Sequence, residues 1–130
     1  MKTVTICGSS RFAKEIREFA QELRNLGIVV YEPHLYRASG GVWSDVSDFD
    51  KPLVASGLTR DHFYKIELCD YVYVMNIGGY SGVSTSMEIA YAVAMKKPVY
   101  ALSEKDDEVC RKILFSGYID NAKDLFNLLK

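Results

Sequence analysis

Four short apolar runs, Thr3 to Cys7, Ile28 to Tyr31, Tyr71 to Met75 and Pro98 to Leu102, punctuate the chain, and stretches with helical spacing of apolar residues fall between them. Runs of this length, rich in Val, Ile and Tyr, read as strands. Between the first two, Phe12, Ile16, Phe19, Leu23 and Leu26 repeat at three- or four-residue steps, the stripe that a helix lays on a sheet, and Gly27 stops it. The order β-α-β-α-β-α-β requires parallel strands joined by right-handed crossovers. The expected architecture is α/β, a Rossmann-like (flavodoxin-like) three-layer sandwich with a four- to five-stranded parallel sheet. A last helix from about Ile119 to Leu129, with Ile119, Ala122, Phe126 and Leu129 on one face, closes it. The pattern leaves a fifth strand near Phe115 to Tyr118 open.

Two stretches interrupt this regular reading. From Glu32 to about Ser56 no period holds, and Pro33, Gly40, Gly41 and Pro52 break the chain, so a long loop is expected. Loops of this length in a compact domain often serve as lids, and Tyr36 and Trp43 suit one that covers a ligand. The helix before the third strand is expected over Leu58 to Asp70, capped by Thr59 or Asp61, with Ile66 and Cys69 on its buried side. Arg60, Asp61 and His62 then lie near its positive end.

Length and charge narrow the classes. With 130 residues, the chain holds one domain, 1–130, and no second. Sixteen basic residues against seventeen acidic give a net charge of −1, which excludes a dedicated polyanion surface, so no nucleic-acid partner is expected. Cys7, Cys69 and Cys110 are odd in number and far apart, which implies neither a disulfide framework nor zinc and fits a reducing cytoplasm. No apolar run reaches membrane-spanning length, and the first residues lack a signal-peptide core. A cytoplasmic protein without a membrane partner is expected.

The densest chemistry lies in Tyr71-Val-Tyr-Val-Met-Asn76-Ile-Gly-Gly79-Tyr-Ser-Gly82-Val-Ser84-Thr-Ser-Met-Glu88, a strand, a glycine turn and a helix bearing a carboxylate in its first turn. Glycines there let a ligand approach the backbone, and ligands of open α/β sheets bind at this end of the strands. Thr85-Ser-Met-Glu88 also matches a capping box, which alone would explain the glutamate. The preceding turn, with Tyr91 on the Glu88 face one helical turn on, favours catalysis, with Tyr91 steering Glu88 or simply packing in the core. The first strand ends in Cys7-Gly8-Ser9-Ser10-Arg11, either a phosphate or ribose cradle or an ordinary helix start with Ser9 or Ser10 as N-cap. It has the spacing of neither a dinucleotide fingerprint nor a Walker loop. His34 and His62 are unpaired in sequence and no Cys/His cluster is visible, so no metal and no cofactor are expected. Cys7 reads as a buried inert thiol.

Taken together, Asp70-Tyr-Val-Tyr-Val-Met-Asn76, the glycine turn and Met87-Glu88-Ile-Ala-Tyr-Ala-Val-Ala-Met-Lys-Lys-Pro-Val99, with Cys7 to Arg11, resemble the nucleoside 2-deoxyribosyltransferase family and its nucleoside 5′-monophosphate N-glycosidase (N-hydrolase) relatives. The resemblance implies cleavage or exchange of an N-glycosidic bond, with Glu88 as nucleophile and Asp61 or His62 assisting at the base. It places a 5′-phosphate or 5′-hydroxyl against Gly8, Ser9, Arg11 and Ser84, and it implies a homo-oligomer, dimer or higher. Between the third strand and Glu88 this chain has no acid where transferases carry aspartates, which points toward a hydrolase or a non-catalytic nucleotide-binding module. The turn resembles less closely the PGGxGTxxE signature of phosphoribohydrolases. A nucleoside or nucleotide is the expected small-molecule partner, held also by Ser10, Asn76, Gly79, Gly82 and Tyr91, and a helix N-terminus is expected to keep Glu88 ionised.

Overall fold

The computed structural model describes residues 2–34 and 46–130. Five parallel strands, β1 (Thr3–Gly8), β2 (Val29–Tyr31), β3 (Tyr71–Met75), β4 (Val99–Ala101) and β5 (Gly117–Tyr118), form one sheet in the order β2-β1-β3-β4-β5. This is the flavodoxin-like order, and the two-residue β5 is the fifth strand that the pattern left open. Tyr36, Gly40, Gly41 and Trp43, the lid residues of the sequence reading, lie outside the described residues.

Strand alternation sorts the core into two layers, because successive side chains point to opposite faces. Val4, Ile6, Tyr73 and Met75 face α1 (Ala13–Asn25) and the C-terminal α5 (Ala122–Leu129), where Ile16, Phe19, Leu23, Leu125 and Leu129 are buried. Cys7, Val72 and Val74 face the other way, toward Ile66 of α2 (Lys51–Leu68) and Ile89 and Ala92 of α3 (Val83–Ala94). A short α4 (Val109–Lys112) precedes β5. The Tyr73 ring stacks on Phe19 at 4.4 Å between centroids, and its hydroxyl donates to the Ile119 carbonyl at 2.6 Å. A buried phenol thus keeps a partner and fastens the link between β5 and the C-terminal helix to the central strand.

Two helix starts differ from the sequence reading. α2 begins at Lys51 with Pro52 in its first turn, so it takes the end of the expected loop, and neither Thr59 nor Asp61 caps it. Proline suits that position because its missing N–H would be unbonded there in any case. Asp61 and His62 therefore lie well inside the helix, away from its positive end. α3 begins at Val83 with Gly82 as N-cap, so Thr85 is an interior residue, the capping box does not form, and Glu88 lies beyond the first turn.

β1 and β3 are neighbours whose connections leave to opposite sides of the sheet, and their carboxyl ends meet where Gly8 pairs with Met75. A crevice opens there by construction. Gly8 lies close under Ile16: a Cβ on it would stand 2.9 Å from Ile16 Cδ1 and 3.2 Å from the Met75 carbonyl oxygen.

Candidate active site

Three elements frame a cleft of about 550 Å³ at that crevice: the turn after β1 with Gly8, Ser9 and Ser10, the middle of α2 with Leu58, Thr59 and His62, and the start of α3 with Gly82, Ser84, Thr85 and Glu88. Pro33, His34, Ala55, Tyr80, Val83 and Met87 complete its lining. The first turn of α3 has no side-chain cap, so its leading backbone N–H groups, which no helical carbonyl can satisfy, border the cleft. Thr85 also lines it, but its hydroxyl is buried beneath the turn with no partner among the described residues, a place for a buried water.

Glu88 is the acid of this cleft, with a side chain only 12% exposed. It stands in a buried group with Cys7 and His62: Cys7 Sγ lies 3.3 Å from His62 Nε2, and His62 Nε2 lies 3.8 Å from Glu88 Oε2. Burial pushes the carboxyl up to about 8, a rise that the Cys7 thiol beside it only moderates. Burial, aided by the Lys65 ammonium, lowers His62 to about 4. The Cys7 thiol is pushed well above its usual value by burial first, and then by the neighbouring Glu88 and Cys69. At neutral pH the contact is therefore between a protonated carboxyl and a neutral imidazole, and not an ion pair. The sequence expectation that the helix N-terminus keeps Glu88 ionised is corrected: α3 starts too early to place the carboxyl at its end, and desolvation outweighs the dipole.

The first turn matches the helix-start reading in detail. The Ser9 hydroxyl accepts from the Arg11 backbone N–H at 3.3 Å as the N-cap of a short 3-10 turn. Ser9, Ser10 and Ser84 border the cleft, as does Gly82. Arg11 does not: its guanidinium lies over the Tyr80 ring at 3.6 Å, facing a shallow basin that shares Ser9, Ser10 and Tyr80 with the cleft.

Three expected ligand contacts are engaged elsewhere. Asn76 is fully buried and exchanges two 2.9 Å hydrogen bonds with the backbone of Ser103, tying the ends of β3 and β4 together. Gly79, at φ 87°, is required by packing, since a Cβ there would run into the Lys105 carbonyl. Tyr91 stacks on Phe63 at 4.5 Å, and its phenol is raised by burial and by Glu67, the core-packing alternative, so it does not steer Glu88.

Asp61 also departs from its expected place. Its Oδ2 lies 2.7 Å from His34 Nε2 and 3.0 Å from Lys65 Nζ, and those two partners hold its carboxyl below the usual value. Asp61 is thus an ionised partner of His34, and His34, which the sequence left unassigned, is the group that reaches the cleft. A histidine and an aspartate 27 positions apart carry no sequence signal of their pairing. The same holds for Cys7, His62 and Glu88, whose donor atoms all lie within 4.8 Å of one another, so the expectation of no Cys/His cluster is also corrected. Only the crossover topology unites them.

No family model and no characterised protein sequence matches the chain. Solved structures do. A 2-deoxyribosyltransferase from Bacillus psychrosaccharolyticus superposes with a TM-score of 0.69 at 16% identity, covering 96% of this chain and 90% of that one. The CMP N-glycosidase BcmB of Clostridium botulinum gives 0.57 at 18% identity, covering 98% and 97%, and a conserved protein from Enterococcus faecalis gives 0.62 at 16%, covering 98% and 96%. At these identities the likeness is one of fold along nearly the whole chain.

Proposed function

We propose that this chain is a single nucleoside 2-deoxyribosyltransferase-like domain that cleaves or exchanges the N-glycosidic bond of a nucleoside or nucleoside 5′-monophosphate, with Glu88 as nucleophile. The observation that carries the reading is the position of Glu88, the one carboxylate among the described residues that line the cleft, with its side chain buried at the sheet's switch point. That two proteins of this fold are a deoxyribosyltransferase and a CMP N-glycosidase supports it.

In this reading the sugar enters with its 5′-hydroxyl or 5′-phosphate against Gly8, Ser9, Ser10, Ser84 and the first N–H groups of α3, where a helix N-terminus favours negative charge. The anomeric carbon then faces Glu88. As the bond to the base lengthens, positive charge develops on the sugar, and an ionised Glu88 stabilises and captures it as a glycosyl ester. The electron pair of the broken bond leaves with the base. His34, held by Asp61, gives that base its proton from the rim, and Asp61 acts through His34 rather than on the base directly. Neutral His62 and the Cys7 thiol set the position of Glu88. Water or a second base resolves the ester.

The exposed Val83 and Met87 at the cleft mouth, with Phe49 and Leu53 near the start of α2, support an assembly of like chains around the site.

The test is a chromatographic panel of ribo- and deoxyribonucleosides and their 5′-monophosphates, with and without a second free base. Release of base identifies a hydrolase, and exchange only with an acceptor identifies a transferase. Glu88→Ala should lower turnover about a thousandfold or more while leaving the fold intact. Full activity in that variant sinks the mechanism. Silence of the wild type, combined with a nucleotide-induced rise in melting temperature, would mark a binding module instead.

A further inference from the structure

We propose that Cys7, His62 and Glu88 form a three-ligand site for a thiophilic divalent cation of the zinc type, and that its occupation silences Glu88. The binding stands on geometry alone; the silencing rests on the reading of Glu88 as nucleophile.

Around a tetrahedral zinc, with bonds of about 2.0 to 2.3 Å to sulfur, nitrogen and oxygen, neighbouring donor atoms lie roughly 3.4 to 3.6 Å apart. Here Cys7 Sγ and His62 Nε2 are 3.3 Å apart, and His62 Nε2 and Glu88 Oε2 are 3.8 Å apart. Cys7 Sγ and the Glu88 carboxylate lie within 4.8 Å of each other, so a modest side-chain movement closes the shell. His62 and Glu88 border the cleft, so a fourth position faces solvent, where a water can complete the tetrahedron.

The charges agree as well. Zinc requires a thiolate and an ionised carboxylate, whose two negative charges offset the ion in a buried place, together with a neutral imidazole, and Cys7, Glu88 and His62 supply that donor set. Binding releases the thiol proton and the carboxyl proton to solvent, so it strengthens as pH rises. A sulfur ligand selects zinc and similar ions over magnesium and calcium.

His62 Nδ1 has no partner among the described residues, so the oriented hydrogen bond that usually supports a metal-bound histidine is missing. Loss of such support weakens binding about 10- to 100-fold. The ion therefore exchanges with solvent and is not a permanent structural element. While bound, it takes one Glu88 oxygen and draws negative charge from the carboxylate, which weakens the nucleophile that would attack a sugar.

Cobalt(II) titration of the full-length protein at pH 8 tests this. One equivalent should give intense visible bands of tetrahedral cobalt and a near-ultraviolet sulfur-to-cobalt band, both erased by added zinc. Cys7→Ser should remove the sulfur band. Should that buried variant fail to fold, His62→Ala and Glu88→Gln should each weaken uptake about tenfold or more. Cys110→Ser, which alters the exposed thiol, should change nothing. Absence of uptake, a sulfur band that persists in Cys7→Ser, or one that disappears with Cys110 overturns the site. In the base-release assay, zinc should inhibit and a chelator restore activity. Turnover undiminished at saturating zinc overturns the silencing, whereas a cobalt spectrum without any turnover would fault the nucleophile reading and leave the site in place.

Discussion

Glu88 and His62 titrate in opposite directions, and their sum fixes how stability responds to pH. The folded protein keeps the Glu88 proton up to about pH 8, while an unfolded chain releases it near 4.5, so in that window unfolding releases a proton and stability falls as pH rises. His62 does the reverse: it takes a proton near 6.5 when unfolded and only near 4 when folded, so stability rises with pH between those values. The two offset where the windows overlap. From about pH 6.5 to 8 the fall stands alone, at no more than about 1.4 kcal/mol per pH unit. Melting temperature should therefore drop across that range in the wild type and stay level in Glu88→Gln; parallel curves would mean that the carboxyl is not held protonated. In the base-release assay, kcat/KM should climb toward the same midpoint, because the attacking group must be ionised. Sequence singled out Glu88 from the glycine turn before it, yet its environment was not legible, since burial is decided by Cys7 of β1 and His62 of α2, both distant along the chain.

At the scale of elements, legibility followed the strength of the local pattern. α1 has a clean apolar stripe and a glycine stop, and Gly27 takes the positive φ of 89° that such a stop needs. α2 has no such stripe. Its buried residues are few and Pro52 resembles a breaker, so its first six residues, to Ser56, read as loop from sequence. The glycine turn divides by cause: Gly82 opens a wall of the cleft, whereas Gly79 makes room for the segment after β4. Gly79→Ala meets both a positive φ and a backbone carbonyl, and should destabilise by about 2 to 4 kcal/mol or abolish folding, as chemical denaturation would read. Gly82→Ala has only the Tyr80 hydroxyl nearby, at 3.6 Å, and should leave stability nearly unchanged. Equal losses in the two variants would refute this division.

For the whole molecule, the alternation of strands and helices was enough to give the layers and the strand order, because parallel pairing and right-handed crossovers leave few other arrangements. No equivalent rule gives the site, whose groups come from β1, α2, α3 and the residues after β2. Nor does the sequence specify the assembly. If like chains associate through the cleft rim, light scattering should report a multiple of 14.7 kDa, and Val83→Lys, on a residue 80% exposed, should reduce it; a monomer at all concentrations excludes the idea. Among the described residues no helix is long and apolar enough to cross a membrane.

All five strands run the same way, so every turn that touches the cleft leaves a carboxyl end, and the returning turns at Gly27 and at Lys96 and Lys97 lie on the opposite rim. Chemistry and connection are thereby divided between two edges of one sheet. Insertions, tags or grafted peptides at the returning turns should be tolerated without changing which substrate is accepted, while changes along the other edge can vary specificity without rebuilding the scaffold.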